Sequence, residues 1–233
     1  MAVDLYVGTL TRYYAGQWEN VAQKMAREQG LRYQVIRPGG DNADAVSDPA
    51  KIEPAIAQWQ RNVAQALQQS GGGDAAWQEG LGPPYFTDRI GWDPLFALML
   101  WASYLQLERQ PPRNLPKDMT ADPAFAECMG NPNQYQLTTI LSAQFWLPVD
   151  LMFFTKFPSP RGDQVDVSSV DALLYALGNI NERSWRTHDW RAWLADDIAD
   201  TALLETPARY GFAVLASMAA HAKQHHLPIV LSF

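Results

Sequence analysis

The chain has 233 residues, of which 47% are hydrophobic, 12% are aromatic and nine are tryptophan. This composition indicates a folded protein with a substantial core and is not that of a disordered chain. The net charge of −7 and the isoelectric point of about 5.0 argue against nucleic acid and anionic membranes as partners, because both attract surfaces rich in lysine and arginine.

Targeting and redox signals are weak along the whole chain. Cys128 is the single cysteine, so an intramolecular disulfide cannot form and a buried thiol is expected. The first ten residues lack the basic and apolar regions of a signal peptide. The longest apolar run, Pro94 to Ala102, is shorter than the ~20 residues that a membrane span requires. We therefore expect a cytoplasmic protein with no membrane partner.

The first third of the chain has a strand–helix–strand pattern followed by a long helix. Asp4 to Leu10 alternates like a strand, Gln17 to Gln29 has helical periodicity, and Leu31 to Arg37 reads as a second strand. Apolar residues recur at helical spacing from Pro49 to Gln69. The glycines that follow in 70–73 indicate a helix stop and linker, since the Gly-Lys-Ser/Thr of a phosphate-binding loop is missing.

A polar, proline-containing loop over 79–93 then leads into an apolar helix from Pro94 to about Glu108. Four pairs combine an oxygen-bearing side chain with proline and predict helix starts, with the first residue as the cap. These pairs are Asp48-Pro49, Asp93-Pro94, Asp122-Pro123 and Thr206-Pro207. We therefore interpret Asp93 first as a helix cap and only second as a catalytic acid.

The second half alternates helices with extended segments. A proline-rich surface connection over 109–120 precedes a short helix from Pro123 to Met129. Tyr135 to Leu147 has the composition of a strand, but its length also allows a helix. Buried extended chain is expected over 147–154. Helices are predicted over Ser168–Asn179, Trp190–Asp200 and Pro207–Lys223, and a strand over Leu227–Phe233.

Together these elements predict an α+β or α/β fold with one globular domain over 1–233. A small sheet holds the N-terminal and C-terminal strands, and five to seven helices pack around it. The connections near 70–74 and 109–120 have the composition of flexible segments.

The 79–93 loop carries the residues most suggestive of a site. Glu79, Asp88 and Arg89 could form the carboxylate pair and arginine clamp of an acid/base enzyme or a ligand pocket, or they could brace their own loop. The aromatic residues beside them suit a protein contact surface; these are Tyr85, Phe86 and Trp92.

A second set of charged residues lies near the end of the chain. Asp196, Asp197 and Asp200 form an acidic stretch. Such a run is typical of a solvated helix face, and its functional alternative is a landing surface for a basic protein.

Patterns for catalysis, metals and cofactors are weak. His221 and His225 are four residues apart, but the glutamate of a zinc-binding His-Glu-x-x-His motif does not stand between them. A Gly-x-Ser-x-Gly elbow is missing, and no histidine or basic residue neighbours Cys128 in sequence. We therefore predict no catalytic residue, metal or cofactor.

Several segments together resemble an uncharacterised bacterial family of small cytoplasmic proteins. They are DLYVGTLTRYY, GWDPLFALMLWASY, FWLPVDL, VDALLYALGNIN and GFAVLASMAAHAKQHHLPIVLSF. In general style the chain is similar to the immunity proteins of polymorphic or secreted toxin systems. This resemblance implies a non-catalytic protein that binds and neutralises a cognate toxin, for which a basic partner would be complementary. The alternative is a small-molecule enzyme or ligand-binding protein that uses the 79–93 loop.

Overall fold

The structure, a computed structural model, describes residues 2–31, 48–69, 76–198 and 202–232. Six strands form one mixed sheet in the order β2–β1–β6–β3–β5–β4. Their bounds are β1 Ala2–Val7, β2 Phe86–Gly91, β3 Phe145–Leu147, β4 Phe154–Pro158, β5 Gln164–Ser169 and β6 Ile229–Ser232. β3 and β5 are parallel, and the other neighbouring pairs are antiparallel. The fold is α+β, with the N-terminal and C-terminal strands side by side, as predicted.

Eight α-helices and one 3-10 helix are present among the described residues. The α-helices are α1 Leu10–Tyr14, α2 Val21–Glu28, α3 Pro49–Gln69, α4 Trp92–Gln106, α5 Pro123–Gly130, α6 Gln136–Leu141, α7 Val170–Ser184 and α8 Glu205–His225, and the 3-10 helix is Trp190–Ala195. The count exceeds five to seven because α1, α6 and the 3-10 helix each have only five or six residues. No helix in the described ranges is both long and apolar enough to cross a membrane.

The two faces of the sheet bury different sets of side chains because neighbouring strand residues point to opposite faces. Val3, Leu5 and Val7 join a core built with α4, α7 and α8. Tyr6, between them, joins a second core with Ile56 and other residues of α3. The sheet is therefore a middle layer between helices.

The helix α4 is the central element of the larger core. Eight of its residues are buried, as expected for a helix that is apolar on all sides. It packs on α8, where a Cβ atom at Gly211 would overlap the carbonyl oxygen of Pro94. The glycine lets the two backbones approach closely and fixes the position of α8 against the sheet.

Several predicted boundaries are confirmed. The helix α3 covers the predicted range, with Ile56, Trp59, Val63 and Leu67 buried. Asp122 caps α5 through the amides of Ala124 and Phe125, and Cys128 is buried. The ambiguous segment 135–147 contains both structures, helix α6 and then strand β3.

Two of the four predicted caps are wrong. Gly91 is the N-cap of α4, so Asp93 lies inside the first turn and does not cap the helix. Helix α8 begins at Glu205 after Leu204, so Thr206 is also inside its helix. In both cases the helix starts before the proline, because proline has the backbone angle of any position in the first turn.

The prediction of a polar loop over 79–93 is also wrong in part. Phe86–Gly91 is β2, an edge strand paired with β1 over its whole length. The β4–β5 hairpin was not predicted. The predicted strand over 31–37 and the glycines at 71–73 lie outside the described residues, apart from an exposed Leu31.

Candidate functional site

The carboxylate of Glu79 is hydrogen-bonded to groups within the protein. Its Oε1 accepts hydrogen bonds from Leu10 N (3.2 Å) and Trp77 Nε1 (2.7 Å), and its Oε2 accepts one from Thr11 N (2.9 Å). The carboxylate therefore holds the first amides of α1, which no carbonyl inside the helix can satisfy. Burial raises the pKa of Glu79, and these donors oppose that increase by favouring the charged form.

Asp88 and Arg89 point to opposite faces of β2. Arg89 faces α2 and lies 3.5 Å from Asp4 Oδ1 through its Nε atom, and Asp4 also accepts a hydrogen bond from Asn20 Nδ2 (2.8 Å). Asp88 shares its face with Phe86, toward α8, and accepts a hydrogen bond from the Arg89 amide (2.7 Å). Burial raises the pKa of Asp88. Because Glu79, Asp88 and Arg89 contact three different surroundings, the structure does not bring them together as an acid/base set.

The aromatic residues of this segment also contact different partners. Tyr85 lies between the Arg12 guanidinium (5.1 Å from the ring centre) and the Lys24 ammonium (5.4 Å). The ring of Phe86 stacks on His221 of α8, with ring centres 4.1 Å apart. Trp92 stacks on Phe96 inside α4 (5.4 Å).

His221 and His225 both pack on Phe86 and do not form part of a metal cluster. The second histidine lies 5.0 Å from the same ring. Burial lowers the pKa of His221, and the nearby charges of His225 and Arg191 lower it further. Among the residues that the structure describes, no group of three or more His, Cys, Asp or Glu side chains could hold a metal ion.

A site that the sequence interpretation did not assemble lies where α4, α7, α8 and the 3-10 helix meet. Four half-buried tryptophans gather there around Phe212 of α8, and we call this group the tryptophan surface. It consists of Trp101, Trp185, Trp190 and Trp193 with Phe212.

Trp185 is the centre of the tryptophan surface. Its ring centre lies 5.6 Å from Trp101, 5.0 Å from Trp193 and 5.5 Å from Phe212. The Arg209 guanidinium lies 5.9 Å from the Trp185 ring centre and 5.3 Å from that of Trp193. These are distances at which aromatic pairs and cation–π contacts are favourable.

Polar contacts hold this centre in place. Glu205 accepts a hydrogen bond from Trp185 Nε1 (3.1 Å) and forms an ion pair with Arg209 (2.5 Å). Trp101 Nε1 donates to Ser184 Oγ (2.8 Å). These contacts hold the rings of Trp101 and Trp185 in place within the fold.

The acidic stretch begins at the edge of the tryptophan surface. The Asp196 amide donates to the carbonyl oxygen of Trp193 (3.1 Å), directly after the 3-10 helix, and Asp197 is exposed. Asp200 lies outside the described residues. The 3-10 helix ends at Ala195, so Asp196 and Asp197 do not continue a helix as the predicted range of 190–200 implied.

The helix α8 contacts both β2, in the 79–93 segment, and the 3-10 helix that precedes Asp196 and Asp197. Phe86 packs on α8 from the β2 side, and Trp190 and Trp193 of the 3-10 helix pack on its Phe212. The sequence contained one signal of this arrangement: three tryptophans fall between positions 185 and 193. Sequence spacing does not show that Trp185 packs on Trp101, which lies more than 80 positions earlier.

Comparisons with protein families, curated proteins and solved structures found no match to this chain.

Proposed function

We propose that this protein binds and neutralises a basic bacterial toxin, in the manner of an immunity protein. The observation that supports the proposal is the tryptophan surface with its acidic border. Tryptophan and arginine are the residues that most often dominate binding free energy at protein interfaces. Here Trp185 and Trp193 are half-buried and in contact with Arg209, and Trp185 Nε1 donates a hydrogen bond to Glu205.

The charge of the chain supports a basic partner. Asp196 and Asp197 follow the tryptophan surface in a chain of net charge −7. Carboxylates beside an aromatic centre speed the capture of a cationic protein. In this proposal the tryptophans provide the affinity and the aspartates increase the association rate.

The ligand-binding alternative over 79–93 has less support. Glu79 already accepts three hydrogen bonds from α1 and Trp77, and Arg89 is paired with Asp4. A substrate would have to displace these contacts, whereas the tryptophan surface needs no rearrangement.

Co-expression with the toxic product of the adjacent gene tests the proposal. We expect protection of the cells and co-purification of a complex. Trp193→Ala should raise the dissociation rate and abolish protection. Asp196→Asn with Asp197→Asn should slow association, most clearly at low salt.

The matched control is Glu28→Gln with Glu53→Gln, which removes two exposed carboxylates from α2 and α3 on the other face of the sheet. It should leave binding unchanged. Absence of both protection and complex with the wild-type chain would overturn the proposal. Equal effects of the two paired charge variants would show that only net charge matters and that the acidic border is not part of the interface.

A further inference from the structure

A cleft of about 550 Å³ opens beside the tryptophan surface. Its walls come from the end of α4, the end of α7, the proline-rich connection and the residues just before α8. Apolar side chains, among them Trp101, Leu105 and Pro112, alternate with a few polar ones. The cleft is open to solvent on one side, and its volume is within the range of small-molecule sites.

The walls of the cleft are held together by hydrogen bonds. Leu204 N donates to Arg113 O (3.0 Å), and Leu115 N donates to Ala202 O (2.8 Å). Asn114 and Leu203 form a bridge between the same two segments. The cleft is therefore preformed, and a ligand would not have to order the connection near 109–120 in order to bind.

The charges of the cleft favour an anion. Glu205 is the one carboxylate in its lining, and it is already neutralised by Arg209 and Trp185 Nε1. Arg113 has no side-chain partner within the described part of the chain, and Arg183 donates only to the carbonyl oxygen of Leu105. Two guanidinium groups thus remain able to bind an incoming carboxylate or phosphate.

We propose that this cleft binds a small molecule that joins an anionic group to a flat apolar body. Arg113 and Arg183 bind the carboxylate or phosphate, and Trp101 with the prolines contacts the flat part. The cleft shares Trp101 with the tryptophan surface, but the inference rests on the two arginines and not on Trp193 or the aspartates, so it can fail independently of the protein-binding proposal.

Saturation-transfer NMR and calorimetry with four probes test the proposal. Benzoate supplies a carboxylate and adenosine monophosphate a phosphate, while benzamide and adenosine present the same rings without charge. We expect at least one anionic probe to bind, and to bind more tightly than its uncharged counterpart. The preferred anion identifies the ligand class as a carboxylic acid or a nucleotide.

Variants of the two arginines locate the site. Arg113→Gln should weaken binding about tenfold, since a charge-assisted hydrogen bond is lost, and Arg113→Gln with Arg183→Gln should weaken it further. Arg61→Gln removes another exposed arginine, on α3, and should have no effect. Circular dichroism checks that each variant is folded; Arg113→Gln alone removes no contact among the described residues.

Two results would overturn the inference. One is that neither anionic probe binds the wild-type chain more tightly than its uncharged counterpart. The other is that the folded Arg113→Gln variant binds the preferred anion as tightly as the wild type does.

Discussion

The segment from Glu79 to Trp92, and the tryptophan surface with Glu205 and Arg209 beside it, both combine charged and aromatic side chains but use them in opposite ways. In the first, Glu79, Arg89 and Tyr85 are engaged by neighbouring elements. In the second, polar groups such as Glu205 serve to hold aromatic rings that stay half-exposed. A charged and aromatic sequence can therefore build the fold or present a surface, and the difference lies in which groups remain available.

The largest effect is expected from substitution of Glu79, because its carboxylate holds the first of these two regions in place. Glu79→Ala leaves the Leu10 and Thr11 amides and the Trp77 indole without an acceptor. Unsatisfied buried donors cost about 1–3 kcal/mol each, so we expect a loss of roughly 3 kcal/mol in the free energy of unfolding. Urea denaturation measures it.

The conservative variant Glu79→Gln keeps one acceptor oxygen and should lose less stability than Glu79→Ala. Stability unchanged in Glu79→Ala would mean that the carboxylate is not structural, and the ligand-site interpretation of this segment would regain support.

The next largest effect is expected at Gly211, in the helix α8 that contacts both regions. Gly211→Ala places a Cβ against the Pro94 carbonyl oxygen and pushes α8 away from α4. Overpacking of this kind costs about 1–3 kcal/mol. Because α8 contacts both Phe86 and Trp185, hydrogen exchange should increase in both regions.

As a control, Gly178→Ala places a methyl group where no atom lies within 4 Å. This glycine is inside α7, so the substitution should be neutral or stabilising by up to about 1 kcal/mol. Equal destabilisation by the two substitutions would argue against a specific close approach at Gly211.

Trp193→Ala should separate binding from folding. The residue is half-buried and contacts Trp185 and Phe212, and aromatic pairs contribute about 1 kcal/mol each. We expect a modest loss of stability, on the order of 2 kcal/mol, but complete loss of protection against the proposed toxin. A variant that unfolds at growth temperature would instead place Trp193 among the structural residues, and Trp193→Phe would then be the test of binding.

The smallest effect concerns pH. The pKa of His221 is lowered by burial from its usual 6.5, so the folded chain binds a proton less readily than the unfolded chain does. This contribution to stability is fully present above pH ~6.5 and is lost as the pH falls through the lowered pKa. His221→Phe keeps a ring against Phe86 and should flatten this part of the stability curve. The matched control His188→Gln, at an exposed position, should not flatten it.

Local patterns predicted the elements whose signals are contained in their own residues. The helix α3 has regular apolar spacing along its 21 residues, and β1 and β6 consist mainly of apolar, strand-forming residues. Strand β2 was missed because FTDRIG alternates weakly, and its assignment as a strand depends on pairing with β1 from 80 positions earlier.

The candidate sites could be predicted only in part, for the same reason. The charge pattern located Asp196 and Asp197, but it could not show that they adjoin Trp193, Trp185 and then Trp101. The roles of Glu79 and Arg89 likewise became clear only through partners far away in the chain. Residue type indicates what a side chain can do, and the partners already present determine whether it is free to do it.

The position of β6 has a consequence for how the protein forms during synthesis. It lies between β1 and β3, so the part of the sheet that contains β2 and β1 has no hydrogen-bonded link to the β3–β5–β4 part until Ile229–Ser232 have been made. A nascent chain that stops before residue 229 would leave two sheet fragments with four unpaired edges, two at the gap and one at each outer end. Chaperone dependence should therefore persist until Ile229–Ser232 emerge, and their pairing with β1 and β3 should complete the sheet in one step.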